Sequence, residues 1–152
     1  MQNSYVIVQA SLTVLLPLMA TLTFNKQEKL KSRKLTKQLF AEGKAFLVFP
    51  VKVVYLPITE TVDFPIKIGV SASSRTFKHA VDRNRIKRVL KEQYRLNKLP
   101  LHEHIFATKQ QIAVFFIFIN KTLPEKGLVE KKMPIIINKL IAALNETTAT
   151  TA

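Results

Sequence analysis

A dense run of basic side chains between Asp82 and Lys98 is the part of the sequence best equipped for chemistry. Its seven basic residues and two acidic residues, Asp82 and Glu92, leave a net charge of +5. The basic residues are Arg83, Arg85, Lys87, Arg88, Lys91, Arg95 and Lys98. Four of them are arginines, and a guanidinium can donate two parallel hydrogen bonds to the oxygens of a phosphate. The run therefore indicates a surface that binds phosphate groups.

The same run has the periodicity of an α-helix, which we predict over Ala80–Asn97. One face is largely apolar and consists of Ile86, Val89, Leu90 and Gln93, with Tyr94 at its flank. The opposite face carries Asn84, Arg88, Lys91 and Arg95. The apolar face would pack on a sheet, and the other would form a cationic strip whose phosphate binding depends strongly on salt. Asn84 adds an amide that can reach a base edge or a 2′-hydroxyl.

An ordinary solvated helix face is the alternative explanation of this strip. Such faces usually mix the two signs of charge and place Glu four residues from Lys. This helix has few acids, and the whole chain is basic, since 24 Lys and Arg against 10 Asp and Glu give a formal net charge of +14. A nucleic acid is therefore the favoured partner, ahead of an acidic membrane surface.

Length and composition favour a folded domain over a disordered basic tail. The chain has 152 residues, of which 47% are hydrophobic, and this is enough for one domain with a core. The sequence has no cysteine, which excludes a disulfide scaffold, a thiol nucleophile and a Cys-based zinc site. This agrees with a reducing cytoplasm, where we expect the protein to act.

We predict no catalytic residue and no metal ligand in the chain. A two-metal nuclease needs clustered carboxylates, and the ten acids are scattered, with only Glu60 and Asp63 close together. His102-Glu103-His104 is the alternative metal site, but it lacks a third ligand at a useful spacing, so an ordinary polar loop is favoured. The chemistry is therefore expected to belong to a partner, and no small-molecule substrate is predicted.

The remaining elements give the order α-β-β-β-α-β-α, typical of an α+β domain. The first helix ends near Glu42 and begins at Asn25 or Ser32, both of which are suitable N-caps. The predicted strands are Ala45–Phe49, Val51–Leu56, Ile66–Ala72 and Gln111–Ile119. A loop over Leu99–Lys109 precedes the last strand. The last helix covers Gly127–Leu144, where Pro134 marks a kink or the true start.

The two ends of the chain are assigned separately from the domain, which covers residues 23–144. Residues 1–22 carry no charged side chain. Three interpretations are compatible with this segment. In the first, the start of the sequence is placed too early, and Met19 is the true first residue. Otherwise the segment is a loosely packed extension, or a signal or membrane anchor. Residues 145–152 are small and polar and are predicted to form a disordered tail.

Aromatic side chains beside a basic groove can stack the bases of a single strand. The candidates are Phe40, Phe46, Phe49, Tyr55 and Phe77, and a place in the core is the alternative for each. Arg75 lies just before the basic helix. It either contacts a phosphate or is an ordinary residue of a solvated loop.

The basic helix also resembles a known family. Ala80–Arg88, with the sequence AVDRNRIKR, resembles the AV-x-RNRIKR signature of the bacterial ribonuclease P protein subunit. Lys67–Ser71 is similar to the strand before that family's basic helix. Leu30-Lys31, Leu39-Phe40 and Gly43 resemble its first helix and the end of that helix. The resemblance extends from Phe24 to Leu144 and preserves the order of the elements.

The resemblance implies both a fold and a role. The fold would be a two-layer sandwich like that of some ribosomal proteins, with a mixed four-stranded sheet and a left-handed βαβ crossover. The chain would be the accessory subunit of a ribonucleoprotein that cuts the 5′ leader from precursor tRNA. The partners would be the catalytic RNA and the precursor tRNA. Mg²⁺ would be held through the RNA, and the protein alone would bind no cofactor.

The resemblance also assigns individual residues. Arg83, Asn84, Arg85, Lys87 and Arg88 would face the catalytic RNA, and the charge pattern extends this surface to Lys91 and Arg95. Phe40 and Tyr55 match aromatic residues of a cleft for the leader, with Arg75 and Phe77 as further candidates.

Three departures from the family pattern concern this cleft. Thr36 stands where the family has an aromatic residue, Ser74-Arg75 replaces a basic pair, and Thr76–His79 is one residue longer.

Two other functions stay open at this point. One is a non-catalytic RNA-binding protein of ribosomal or assembly type, and the other is a basic protein anchored to a membrane by residues 1–22.

Overall fold

The computed structural model describes residues 24–59 and 62–151, with side chains as far as Glu146. The expectations for residues 1–22 lie outside the described residues. The helices are α1 (Arg33–Glu42), α2 (Ala80–Asn97), α3 (Leu99–Thr108) and α4 (Leu128–Thr151). The strands are β1 (Lys44–Val48), β2 (Val51–Pro57), β3 (Ile66–Ala72) and β4 (Ile112–Phe118). A short 3₁₀ helix, Lys26–Glu28, precedes α1.

The four strands form one mixed sheet in the order β1-β2-β4-β3. Strand β2 pairs antiparallel with both β1 and β4, whereas β3 pairs parallel with β4. Since parallel neighbours need a crossover connection, the chain leaves β3, forms α2 and α3, and re-enters the sheet as β4. A mixed sheet with helices packed on it confirms the predicted α+β fold.

The two faces of the sheet are covered to different extents. On one face, side chains such as Val53, Ile68 and Phe116 form the large core under α2, α3 and α4. On the other face, Leu39 of α1 packs with Val54 and Ala113. Because α1 has only ten residues, it covers one half of this second face and leaves the other half open.

Helix α2 and strand β3 have the predicted bounds, but the loop predicted over Leu99–Lys109 is wrong. Leu99–Thr108 forms helix α3, with Pro100 in the first turn, where a proline costs no intrahelical hydrogen bond. Leu101 and Ile105 are buried four residues apart, so α3 is held by one apolar stripe.

Other helix ends differ in detail from the prediction. Helix α1 begins after Ser32, whose hydroxyl accepts a hydrogen bond from the Leu35 N–H at 3.2 Å. Pro134 lies inside α4, which begins at Leu128 and continues to Thr151, where the sequence alone indicated a disordered tail. None of the described helices is long and apolar enough to cross a membrane.

A buried polar cluster connects the 3₁₀ helix to the end of α2. Fully buried Lys98 donates a hydrogen bond to Glu28 Oε1 at 2.7 Å. The Tyr94 hydroxyl lies 3.4 Å from Glu28 Oε2 and 3.1 Å from His102 Nε2. Burial opposes ionisation of Glu28, but the His102 ring, whose Nε2 lies 3.6 Å from Oε2, and the hydrogen-bonded Lys98 ammonium outweigh it and lower the pKa of the carboxyl. The cluster fixes the last turn of α2 against the core.

Candidate nucleic-acid interface

Helix α2 is oriented by an apolar stripe of three side chains. Ile86, Leu90 and Tyr94 follow one another at intervals of four residues and are all fully buried against the sheet. The Tyr94 ring packs on Phe116 of β4, with 5.9 Å between ring centroids. Tyr94 is thus the centre of the buried face rather than its flank. Because this stripe is fixed, the opposite face of α2 must point to solvent.

The exposed face of α2 carries most of the predicted phosphate-binding residues. Asn84, Arg85 and Arg88 are exposed, and Lys87 and Lys91 are partly buried. Among the described residues, no carboxylate forms an ion pair with Arg85, Lys87, Arg88 or Lys91. We call these four residues the basic strip. Their charges are not neutralised by described acidic side chains and are available to an external polyanion.

Three other basic residues of the run have partners within the protein. Arg83 donates hydrogen bonds from Nη1 to the carbonyls of Phe77 and Lys78, each at 2.8 Å, and so holds the loop before α2. Lys98 is buried in the cluster with Glu28. The sequence analysis included both residues in the basic run, and the family resemblance assigned Arg83 to the RNA. The sequence shows neither the loop carbonyls that bind Arg83 nor the distant carboxylate that binds Lys98.

Arg95 is the third residue of the run with an internal partner. Its Nε and Nη2 donate to the two carboxylate oxygens of Glu92, at 3.1 and 2.6 Å. The hydrogen bond lowers the pKa of Glu92 and raises the pKa of Arg95. Arg95 therefore already makes the two parallel hydrogen bonds predicted for a phosphate, but it makes them to a carboxylate on the same helix.

The four predicted cleft residues do not lie together. Phe40 is 50% exposed on α1, and Arg75 is exposed in the loop after β3. Tyr55 and Phe77 are each only 6% exposed and belong to the core on the opposite face of the sheet. Side-chain alternation places Tyr55 on the same face as Val53, under the large helical layer, so it cannot line a cleft beside Phe40.

The open half of the second face supplies other side chains beside Phe40. A row of paired residues crosses it, one from each strand: Leu47, Lys52, Ile117 and Ser71. Leu47 is 52% exposed, Lys52 is exposed and Ile117 is partly buried. We call this row, with Phe40 and Phe115, the open sheet face. It combines apolar and aromatic surface with one cation.

Phe115 is the aromatic residue of this face that the sequence did not identify. Its ring meets Phe40 edge-on, with centroids 5.1 Å apart, and lies directly over Gly69 of β3. A Cβ atom at position 69 would be 2.5 Å from two of the ring carbons, so a larger residue there would displace the Phe115 ring. The nearly continuous apolar run of β4 made Phe115 look like a core residue.

The basic strip and the open sheet face meet at the same end of the sheet. Strand β3 ends at Ala72, next to Ser71 of the open face. The chain then passes through the loop that contains Arg75 and enters α2 at Ala80. Consequently, a polyanion on the basic strip can continue onto the open face past Arg75.

The three residues of the alternative metal site point in different directions. His102 is buried and contacts Tyr94, whereas Glu103 is exposed on the other side of α3. Among the residues that the structure describes, no group of three His, Cys, Asp or Glu side chains could hold a metal ion.

Comparison with known proteins identifies the family. A family model described as Ribonuclease P matches residues 24–126. The chain is 36% identical over 114 residues to the ribonuclease P protein component of Porphyromonas gingivalis, covering 75% of this chain and 83% of that protein. It is 33% identical over 97 residues to that of Petrotoga mobilis, covering 62% and 79%. The chain belongs to the ribonuclease P protein component family.

A solved structure supports the fold independently. The Staphylococcus aureus RNase P protein superposes with a TM-score of 0.52 at 19% identity, covering 78% of this chain and 96% of that chain. Family membership makes the chain the protein subunit of a ribonucleoprotein endoribonuclease that processes the 5′ end of tRNA. The RNA is the catalytic subunit of that enzyme, and the chain has an RNA partner.

Proposed function

We propose that the basic strip binds the catalytic RNA of ribonuclease P, and that the open sheet face binds the 5′ leader of precursor tRNA. One observation carries the first assignment: Arg85, Lys87, Arg88 and Lys91 have no ion-pair partner among the described residues. Such a row of cations attracts a structured RNA through its phosphates, with release of condensed counterions. Asn84, at the exposed start of the row, supplies an amide for a base edge or a 2′-hydroxyl.

The open sheet face has the composition that single-stranded RNA requires. Bases stack on exposed aromatic rings at about 1–3 kcal/mol per base, and a nearby cation contacts the phosphate between them. Phe40 and Phe115 supply the rings, and Lys52 supplies the cation on the same face. Arg75 connects this face with the basic strip and would contact a phosphate between them.

The protein would contribute electrostatics and orientation rather than bond cleavage. Two RNA molecules repel each other, and a protein of net charge +14 placed between them lowers that repulsion. Binding the leader on a rigid sheet also fixes the scissile bond relative to the catalytic RNA. We assign the Mg²⁺ ions of the holoenzyme to the RNA, because the RNA is the catalytic subunit.

Reconstitution with the catalytic RNA and a precursor tRNA tests this function. At low Mg²⁺, the full chain should increase leader cleavage, and the increase should be larger for a leader long enough to reach the open sheet face. RNA binding without any gain in cleavage would instead indicate a non-catalytic assembly protein.

A matched pair of phenylalanine variants tests the leader assignment. Phe40→Ala should weaken binding of the leader-bearing substrate about tenfold, corresponding to the loss of one stacked base. Phe106 is the control because it is 56% exposed, like Phe40, but lies on α3. Equal effects of Phe40→Ala and Phe106→Ala would contradict the assignment.

A further inference from the structure

A groove on one flank of α2 borders the basic strip. Its volume is about 330 Å³, and it lies between α2 and the turn that precedes α4. Arg85, Val89 and Gln93 form the α2 wall, and their spacing of four residues places them along one side of the helix. Arg85 also belongs to the basic strip, whose other three residues do not line the groove. The groove is therefore a separate surface that begins where the strip ends.

The opposite wall of the groove is a tight turn with two acidic side chains. The Leu128 N–H donates a hydrogen bond to the Glu125 carbonyl at 3.1 Å, and Gly127 has a φ of 84°, which favours glycine. Glu130 follows in the first turn of α4, and its Oε2 lies 4.0 Å from where a Cβ atom on Gly127 would be. The fold of this turn thus places Glu125 and Glu130 along the same groove.

The charges of the groove differ from those of the basic strip. Two basic residues, Arg85 and Lys126, are balanced by two acidic ones, Glu125 and Glu130, although the whole chain has a net charge of +14. Since carboxylates repel phosphates, the groove does not suit a run of RNA backbone. An ionised carboxylate only accepts hydrogen bonds, so the groove suits a neutral group that donates them.

The α2 wall contributes a further acceptor that lacks a donor. Gln93 Oε1 is buried and has no hydrogen-bond partner among the described residues. A buried acceptor without a donor is unfavourable, so a bound molecule that supplies an N–H to this amide would be stabilised. Val89, Pro124 and Val129 provide apolar surface between the polar groups. This combination of acceptors and apolar surface suits the edge and the face of a nucleobase.

We propose that the groove binds an unpaired guanine of the catalytic RNA. Guanine presents more N–H donors than the other RNA bases, because N1–H and the N2 amino group lie side by side on its Watson–Crick edge. Glu125 and Glu130 would accept hydrogen bonds from this edge, and Arg85 would bind the phosphate of the same nucleotide. The proposal deepens the binding of the catalytic RNA by the basic strip and depends on it. The strip contacts phosphates, and the groove would add a base-specific contact.

The affinity of the full chain for the catalytic RNA separates this role from simple electrostatics. The groove variant, Glu125→Gln/Glu130→Gln, removes two negative charges from the groove, and the control, Glu42→Gln/Glu103→Gln, removes two from exposed positions outside it. Electrostatics alone predicts that both variants bind the RNA more tightly, because both have a higher net charge. The proposal predicts binding about tenfold weaker for the groove variant, as for the loss of one base contact, and equal or slightly tighter binding for the control.

Chemical probing of the RNA identifies the base. Kethoxal modifies the N1 and N2 atoms of unpaired guanines, and dimethyl sulfate modifies the N1 of adenine and the N3 of cytosine. The wild-type chain and the control should protect a guanine from kethoxal that the groove variant leaves reactive. The proposal is overturned if no guanine distinguishes the groove variant from wild type, or if the base that does so is an adenine or a cytosine.

Two further measurements keep the outcomes distinct. Gln93→Leu removes a buried acceptor that has no partner, so its Tm should not fall, yet it should bind the RNA more weakly than wild type. Unchanged RNA affinity of this variant would contradict the role of Gln93. The log–log salt slope of the groove variant should equal that of wild type, because no phosphate contact is lost. Failure of the basic strip itself would appear differently, as an unchanged salt slope when its own cations are substituted.

Discussion

The exposed face and the C-terminal end of α2 contain the same kinds of side chain but use them in opposite ways. On the exposed face, Arg85 and Arg88 have no described carboxylate partner. At the C-terminal end, Lys98 is fully buried and paired with Glu28. The first set of charges can act on another molecule, whereas the second is used within the fold.

The difference follows from what surrounds each charge. A buried ammonium group must be paired, because desolvation of an isolated charge costs several kcal/mol. An exposed arginine loses little hydration and so needs no internal partner. Consequently, net charge alone does not measure a nucleic-acid interface, and the basic residues of α2 must be divided according to burial and partner.

The largest expected effect concerns the buried end. Lys98→Met leaves the Glu28 carboxylate without its main partner in the core, and we expect a decrease of about 3–5 kcal/mol in the free energy of unfolding. Urea denaturation measures it. Glu28→Gln/Lys98→Met should recover part of this stability, since neither charge is then buried. A decrease below about 1 kcal/mol for Lys98→Met would show that the cluster does not stabilise the fold.

Substitutions on the exposed face of α2 should weaken RNA binding but leave the stability of the fold nearly unchanged. Arg85→Gln/Arg88→Gln/Lys91→Gln should change the free energy of unfolding by less than about 1 kcal/mol, as surface substitutions usually do. Its affinity for the catalytic RNA should fall about 10- to 100-fold at moderate salt, because three phosphates are no longer neutralised. Filter binding and urea denaturation on the same preparation separate these effects.

Low pH should reduce the stability that the buried cluster at the C-terminal end of α2 contributes to the fold. The pKa of Glu28 is lower in the folded protein than its ordinary value of 4.5, so its contribution to stability is complete above about pH 4.5. That contribution disappears as the pH falls through the folded pKa. Lys98, His102 and Tyr94 are the groups that face this carboxyl. The stability difference between wild type and Glu28→Gln should therefore decrease as the pH falls below about 4.5, and a constant difference would contradict the assignment.

Glu92→Gln should have the smallest effect. The substitution removes the carboxylate that binds the Arg95 guanidinium, and with it one negative charge on the exposed side of α2. We expect RNA affinity to rise by less than about threefold, because an exposed pair is screened by salt. A fall in affinity would show that the pair positions Arg95 for RNA instead of competing with it.

The periodicity of the sequence was sufficient to predict the helices and strands, but not the burial and the partners of individual side chains. It predicted α2 and β3 with the correct bounds, since apolar residues recur at helical spacing in one and apolar and polar residues alternate loosely in the other. It did not predict the burial of Lys98, because the partner carboxylate of Glu28 is 70 residues away in the chain. It also did not predict that Arg95, which it placed on the cationic strip, makes a bidentate contact with Glu92 three residues earlier.

The cleft was harder to predict than the helix because alternation alone does not say which face is covered. Tyr55 and Phe115 are both aromatic residues on central strands, yet the first lies under three helices and the second beside the open half of the sheet. The path of α1 across the sheet decides between them. That path depends on Leu39 packing against Val54 and Ala113, a tertiary contact that no local pattern specifies.

The salt dependence of binding to the catalytic RNA tests the central claim most directly. Affinity is measured from low to moderate salt for wild type, for Arg85→Gln/Arg88→Gln/Lys91→Gln, and for the control Lys44→Gln/Lys109→Gln/Lys132→Gln, which removes the same charge from elsewhere. We predict a log–log slope shallower by about two to three for the α2 variant and nearly unchanged for the control. Equal slopes for the two variants would mean that the RNA responds to net charge and that the basic strip is not its binding surface.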